Sequence, residues 1–150
     1  MAMTMNGQVQ LAASRDVVWA KLNDPEVLKS CIPGSEQFDR VSDSEFQAIA
    51  TFKVGPVKAR WKGKVRLSDL DPPNSYRISG EGEGGVAGFA KGGAKVSLTD
   101  KDGGTLLTYD VEAQIGGKLA QLGQRLINSA AKKTADDFFA KFAAAVTQPG

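Results

Sequence analysis

The sequence predicts an α+β fold, in which a curved antiparallel sheet of about six or seven strands wraps a long C-terminal helix and two short helices follow the first strand. Three observations carry that expectation. Apolar residues recur with period two from Phe38 to Ile115, the spacing of strands with one buried face. They recur at three- and four-residue steps from Lys118 to about Val146, the spacing of an amphipathic helix. Two short segments with helix-start chemistry lie ahead of the alternating region. A one-sided sheet and an amphipathic helix bury their apolar faces by covering each other, so the sheet curls and the helix lies across it.

The elements follow in order. Val9 and Leu11 alternate with Gln8 and Gln10, a short strand. Ser14 suits a helix N-cap, with Asp16 in the first turn, where the helix dipole favours an acid. Val17, Val18, Trp19 and Leu22 give that helix its apolar side. Asp24-Pro25 starts a second helix, Val27, Leu28 and Ile32 supply its apolar spacing, and Pro33-Gly34 stops it. The clearest alternation runs from Phe46 to Leu67, broken only by Gly55-Pro56. A two-residue connection there pairs Val54 with Val57, and glycine in first place suits a type II′ turn. Counting outward, Phe52 faces Ala59, Ala50 faces Trp61, Ala48 faces Gly63 and Phe46 faces Val65, all on one apolar face. The other face pairs Lys53 with Lys58, Thr51 with Arg60, Gln47 with Lys64 and Glu45 with Arg66, with Ile49 the exception. Two independent alternations thus agree in register.

Asp71-Pro72-Pro73-Asn74 reads as a turn. Tyr76 and Ile78 lead the next strand inward, with Arg77, Ser79, Glu81 and Glu83 outward. Ala94, Val96 and Leu98 form another, Asp102-Gly103-Gly104 signals a hairpin, and Leu107, Tyr109, Val111, Ala113 and Ile115 alternate with polar neighbours. Gly116-Gly117 ends the sheet. Lys118 to Val146 then reads as one helix of about 28 residues, roughly 42 Å long. Leu119, Leu122, Leu126, Ala130, Phe138 and Phe142 share a face, with Asp136-Asp137 on the polar side. The inner side also carries Gly123, Ala130, Ala131 and Ala135, small residues that either let the helix pack closer or leave room beside the leucines.

Composition bounds the chemistry. A chain of 150 residues fits one domain, 1–150, with residues 146–150 a frayed tail, and a domain of that size buries roughly 68–70% of its unfolded surface. Histidine is absent, which excludes a His-paired nucleophile, an imidazole acid or base and an imidazole metal ligand. One cysteine allows no internal disulfide and suits a reducing cytosol. The first residues lack a basic start and an apolar stretch of about 7–15 residues, and no run approaches the roughly 18 residues of a membrane helix, so the chain reads as soluble and cytoplasmic. A net charge of +2 is too small to argue for nucleic acid.

Eight runs carry a specific resemblance. They are Asn23-Asp24-Pro25-Glu26-Val27-Leu28, Cys31-Ile32-Pro33-Gly34, Lys53-Val54-Gly55-Pro56-Val57-Lys58, Trp61-Lys62-Gly63-Lys64-Val65, Leu70-Asp71-Pro72-Pro73, Ser79-Gly80-Glu81-Gly82, Gly88-Phe89-Ala90-Lys91-Gly92 and Gly116-Gly117-Lys118-Leu119-Ala120-Gln121-Leu122-Gly123. In that order, over nearly the whole chain, they resemble the carbon monoxide dehydrogenase G-subunit (CoxG) family. The resemblance implies the START-like helix-grip fold around an apolar cavity. It also implies an accessory to molybdenum hydroxylases of the carbon monoxide dehydrogenase type, active in maturing that enzyme or bringing it to the cytoplasmic membrane and in binding a quinone-like lipid. Many members carry a further C-terminal segment that reaches the membrane, which this sequence, ending at Gly150, does not show. The implied location is cytoplasmic, peripheral at the inner face of that membrane, with no tightly required cofactor beyond a bound quinone or lipid.

The residues themselves discriminate among chemistries. Gly80 to Gly85 matches GxGxxG, but a dinucleotide site needs a helix after the motif, whereas another strand follows, and Glu81 and Glu83 would repel phosphate. Seven of the 17 glycines fall between Gly80 and Gly93, either as bends of a curling sheet or as a mobile flap with Phe89 as its gate. Lys58, Arg60, Lys62, Lys64 and Arg66 form a basic row on one strand face, either a solvated surface balanced by Glu81, Glu83, Asp110 and Glu112 or a docking surface for an acidic partner or anionic lipid. No aromatic alternates with these cations, so they offer no stacking platform for nucleic acid. Cys31 reads as a small buried hydrophobe. The inward polar groups are Tyr76 and Tyr109, and no pair of carboxylates converges there, so no catalytic or metal-binding set is assigned. The expected cavity lining is Phe52, Trp61, Tyr76, Phe89, Tyr109, Leu119, Leu122 and Leu126. A pocket of this kind binds a hydrophobic molecule rather than transforming it. The alternative is a small cyclase- or hydrolase-like enzyme acting on a hydrophobic substrate in the same cavity.

Overall fold

A computed structural model describes residues 1–147. The alternating stretches become seven antiparallel strands: β1 (Ala2–Leu11), β2 (Ser35–Arg40), β3 (Glu45–Val54), β4 (Val57–Asp71), β5 (Ser75–Glu83), β6 (Phe89–Lys101) and β7 (Gly104–Gly116). Their order in the sheet is β1-β7-β6-β5-β4-β3-β2. Strands β2 to β7 therefore form a meander, and β1 adds to its far side by pairing Ala2 with Gln114 through Leu11 with Thr105. The helices α1 (Arg15–Leu22) and α2 (Pro25–Cys31) connect the two edge strands.

Local chemistry explains the boundaries. The Ser14 hydroxyl accepts a hydrogen bond from the Val17 N–H at 3.4 Å, and the Asp24 carboxylate accepts one from the Glu26 N–H at 3.0 Å, so both short helices begin at side-chain caps. Pro25 opens α2, where its missing N–H costs nothing. The β3–β4 hairpin has the register counted from the sequence, Val54 opposite Val57 and Phe46 opposite Val65. Gly55 has φ +57°, and with Pro56 held near −65° the turn is type II′, whose twist suits a hairpin. Asp102 and Gly103, at φ 51° and 77°, make the mirror-image type I′ turn between β6 and β7.

The C-terminal helix differs from expectation. The chain makes a 3₁₀ turn over Ala120–Leu122, breaks at Gly123, and only then enters α3 (Gln124–Val146). Gly123 has φ +92°, a conformation that a residue with a side chain rarely adopts. The helix is thus 23 residues, about 34 Å, rather than the full predicted span. A three-residue apolar step is common to 3₁₀ and α geometry, so Leu119 and Leu122 did not reveal the break. Val146, expected in the tail, is 4% exposed and is the last residue of α3, and Thr147 caps it. The rest of the expected tail, residues 148–150, lies outside the described residues.

Two apolar clusters form. The larger joins α1, α2 and the second half of α3 to the sheet through Leu11, Val18, Phe46, Leu107, Phe142 and Val146. The smaller gathers Met3, Ile115, Leu119 and Ile127. Phe142 is wholly buried, and burying such a ring contributes about 1.5–3 kcal/mol. The six ion pairs found among the described residues have side chains at least one-third exposed and add little to stability.

Candidate ligand cavity

The first half of α3 does not touch the sheet everywhere. Residues of both clusters line a cavity of about 840 Å³ between them. Ala130, Ala131 and Ala135 form part of its roof, so the small residues on this helix leave room instead of drawing the helix closer. The strands supply Phe52 from β3, Trp61 from β4, Tyr76 from β5 and Tyr109 from β7, and Leu119 closes the end beyond β7. Each strand residue has the inward parity that period two dictates.

Three expected lining residues lie elsewhere. Phe89 is 47% exposed and has outward parity, its ring lying on Gly116 where a side chain would collide with it. It therefore does not line the cavity. Leu122 sits half-buried in the 3₁₀ turn, against the smaller cluster. Leu126 is 37% exposed, and its methyl group sits close to Gly55 at the tip of the β3–β4 hairpin. The break at Gly123 resets the helical phase, and so neither leucine keeps the inward direction of an unbroken helix. Sequence reasoning missed Met3 and Met5, inward residues of β1, and the α2–β2 connection Ile32-Pro33-Gly34. The alternation of Met3 and Met5 with Thr4 was a readable signal for the first pair.

Polar groups are segregated within the cavity. Tyr76 is 2% exposed and meets the Trp19 ring edge-on, with centroids 5.2 Å apart. Burial pushes its phenol well above the usual tyrosine range, and no side-chain hydrogen bond offsets this. No buried side-chain polar atom among the described residues is stranded without a partner, so the unpaired Tyr76 hydroxyl meets open cavity space. Tyr109 stacks on Phe139 with centroids 5.2 Å apart. The exposed lining residues Gly34, Lys53 and Lys133 mark the mouth. Asp137 borders it too, which corrects the expectation that it lies wholly on the polar side of the helix. Its carboxylate is 2.8 Å from the Lys133 ammonium, whose proton it holds more tightly than usual, first by the hydrogen bond and then by charge attraction. The rim therefore carries a neutralised pair.

The remaining features of the sequence fall largely outside the cavity. After Glu83 the chain makes a 3₁₀ turn over Gly85–Ala87 and enters β6, so the GxGxxG run has no helix to receive a pyrophosphate. Gly84 is small because the Trp61 indole lies against it. Cys31 is buried, and burial raises its thiol pKa. Lys58, Arg60, Lys62, Lys64 and Arg66 are all exposed on the outer face. Arg60 pairs with Glu36 at 3.2 Å and Arg66 with Glu45 at 2.9 Å, while Lys62 and Lys64 stand opposite Glu83 and Glu81. Lys58 alone in the row stands opposite another lysine, Lys53. No cluster able to hold a metal ion occurs among the described residues, and no helix there is long and apolar enough to cross a membrane.

Comparison with known proteins agrees with this geometry. The family model for the carbon monoxide dehydrogenase G-subunit (CoxG) matches residues 7–147. A conserved protein from Geobacillus kaustophilus is similar in structure, with 32% identity, a TM-score of 0.90 and coverage of 96% of this chain and 95% of that one. The Zhui aromatase/cyclase from a Streptomyces species has 12% identity and a TM-score of 0.71, covering 97% and 94% of the two chains. Ara h 8.0201 has 14% identity and a TM-score of 0.67, covering 97% and 98%. The latter two likenesses are of fold alone. The comparison with curated proteins found no match.

Proposed function

Because the chain belongs to the carbon monoxide dehydrogenase G-subunit (CoxG) family, we propose that it is a non-catalytic accessory protein of a molybdenum hydroxylase of that type, binding a quinone-like hydrophobic molecule and assisting maturation or membrane recruitment of the enzyme. One observation carries the ligand half: the cavity of about 840 Å³ is walled by aromatic and aliphatic side chains, with charged groups only toward its mouth. Its size lies in the range of small-molecule sites, and its few polar groups favour binding over reaction. The free Tyr76 hydroxyl supplies the single donor that a quinone carbonyl needs.

Native mass spectrometry and solvent extraction of the purified protein test this reading, together with titration by a short-chain benzoquinone followed through Trp61 fluorescence. Carry-over or saturable uptake is expected, with Tyr76→Phe weakening binding about 3- to 10-fold, the worth of one hydrogen bond. A protein that neither carries nor takes up such a molecule overturns the ligand half. The partner half rests on the family and on the row Lys58, Arg60, Lys62, Lys64 and Arg66, where the opposed Lys53 and Lys58 would gain from an acidic docking surface. Co-purification with the molybdenum enzyme, lost in Lys58→Glu with Lys62→Glu, is the expected result, and undiminished association overturns that placement of the partner. The same free hydroxyl also favours a second reading, a cyclase- or hydrolase-like enzyme. Turnover of a small hydrophobic molecule that disappears in Tyr76→Phe or Tyr109→Phe while binding persists would establish it in place of the first.

A further inference from the structure

A second space of about 390 Å³ lies beside the main cavity, between β1 and α3. Its character is different. Asn6, Gln8, Asn128 and the Lys132–Asp136 ion pair give it a polar outer wall open to water. Only Met3, Met5, Tyr109 and Ala131 line both spaces among the described residues. Of these, the methionines are flexible and Ala131 is short, so Tyr109 is the one rigid wall. The ring is held from one side by Phe139, stacked at 5.2 Å. On the other side it leans over Gly7, its direct partner on β1, where any side chain would collide with the phenol. No hydrogen bond of the Tyr109 hydroxyl was found among the described residues, so only packing holds the ring in place.

We propose that Tyr109 is the length-selecting residue of the cavity: molecules that fit the main chamber bind with its ring in place, and elongated amphiphiles bind by displacing the ring and running on into the polar cleft beneath β1. This rests on the cavity's being a ligand site. It adds which molecules the site takes, a class of long-chain amphiphiles whose far end stays near water. Each methylene that passes the ring and leaves water strengthens binding up to about fourfold.

Two homologous series test the proposal, alkylated benzoquinones and straight-chain fatty acids of increasing length, titrated against the wild type, Tyr109→Ala and Tyr109→Phe by calorimetry, with thermal melts to confirm folding. For the wild type, affinity should rise with chain length, level off where the chain meets the ring, and rise again only for chains long enough to displace it. Tyr109→Ala should carry the rise to longer chains, by at least about tenfold for the longest, and Tyr109→Phe should keep the wild-type break because the ring, not the hydroxyl, is the barrier. If Tyr109→Ala and the wild type level off at the same length, the assignment of Tyr109 is overturned while the cavity stands as a ligand site. If neither series binds any of the three proteins, the ligand site itself falls and the proposal falls with it.

Discussion

The two halves of α3 cover the same sheet with opposite results. The second half carries Phe142 and Val146 inside a solid interior, with Phe138 and Phe139 standing where that interior meets the cavity. The first half carries Ala130, Ala131, Thr134 and Ala135, and the interior beneath it is hollow. The backbone geometry is the same helix throughout; only side-chain volume differs. A continuous packed core at the phenylalanine end, tied to α1 and α2, holds the helix at a fixed height, and the alanine end is thereby suspended over the sheet. Stability and binding are thus assigned to different turns of one helix, which mutation can separate.

The largest effect should come from the solid half. Phe142→Ala leaves a cavity in a fully packed cluster and should cost about 3–5 kcal/mol, seen as a fall in melting temperature of roughly 10 °C. A loss below about 1 kcal/mol would mean that this end is loosely packed too. The hollow half should behave in the opposite way. Ala130→Phe fills empty space, so the melting temperature should change by no more than a few degrees while affinity for a hydrophobic ligand falls by at least about tenfold. If instead stability collapses, the roof is closer to the sheet than described. Between the halves sits Tyr76. Its folded-state pKa lies above the unfolded value near 10, so the neutral phenol's contribution is fully present below pH 10 and is lost as pH rises above it. Chemical denaturation in that range should show a loss of up to about 1.4 kcal/mol per pH unit. Tyr76→Phe should remove that part of the slope, leaving the smaller fall that begins near pH 9, where burial raises the Cys31 thiol. An unchanged slope would mean that the Tyr76 hydroxyl is as well hydrated in the folded protein as in the unfolded chain. The smallest effect is expected at Leu126, which belongs to neither half's interior. Leu126→Ser should alter stability by about 0.5 kcal/mol or less and leave ligand affinity alone, whereas a lining residue would change both.

How much of this was legible depends on whether the signal was local. The β3–β4 register was readable because two alternations, apolar and charged, fixed it independently, and the same parity placed Phe52, Trp61, Tyr76 and Tyr109 on the inner face. Parity also placed Phe89 outside, since Ala90 and Ala94 point in, but the surrounding glycines obscured the count. The phase of Leu122 and Leu126 could not be read, because a three-residue apolar step is the same in either helix type and Gly123 gives no local sign of whether it bends or continues. The mouth at Ile32-Pro33-Gly34 was invisible for another reason. It is made by the loop that leads into β2 alongside β3, with the Gly34 carbonyl accepting from the Thr51 N–H at 2.9 Å next to the Ser35–Ala50 pair, and its residues lack the alternation that would show which way they face.

The pairing of β1 with β7 has a consequence for how the molecule comes into being. Met1 donates to the carbonyl of Ile115, and the first strand has no other neighbour in the sheet. During synthesis the nascent chain can zip the hairpins from β2 onward one at a time, but β1 must wait on the ribosome's output until β7 has emerged. That wait leaves Met3, Met5 and Val9 without their partners, and closure then requires a loop spanning most of the chain, an entropically slow step. The hollow cannot close until both β1 and α3, which follows β7 in the chain, have docked.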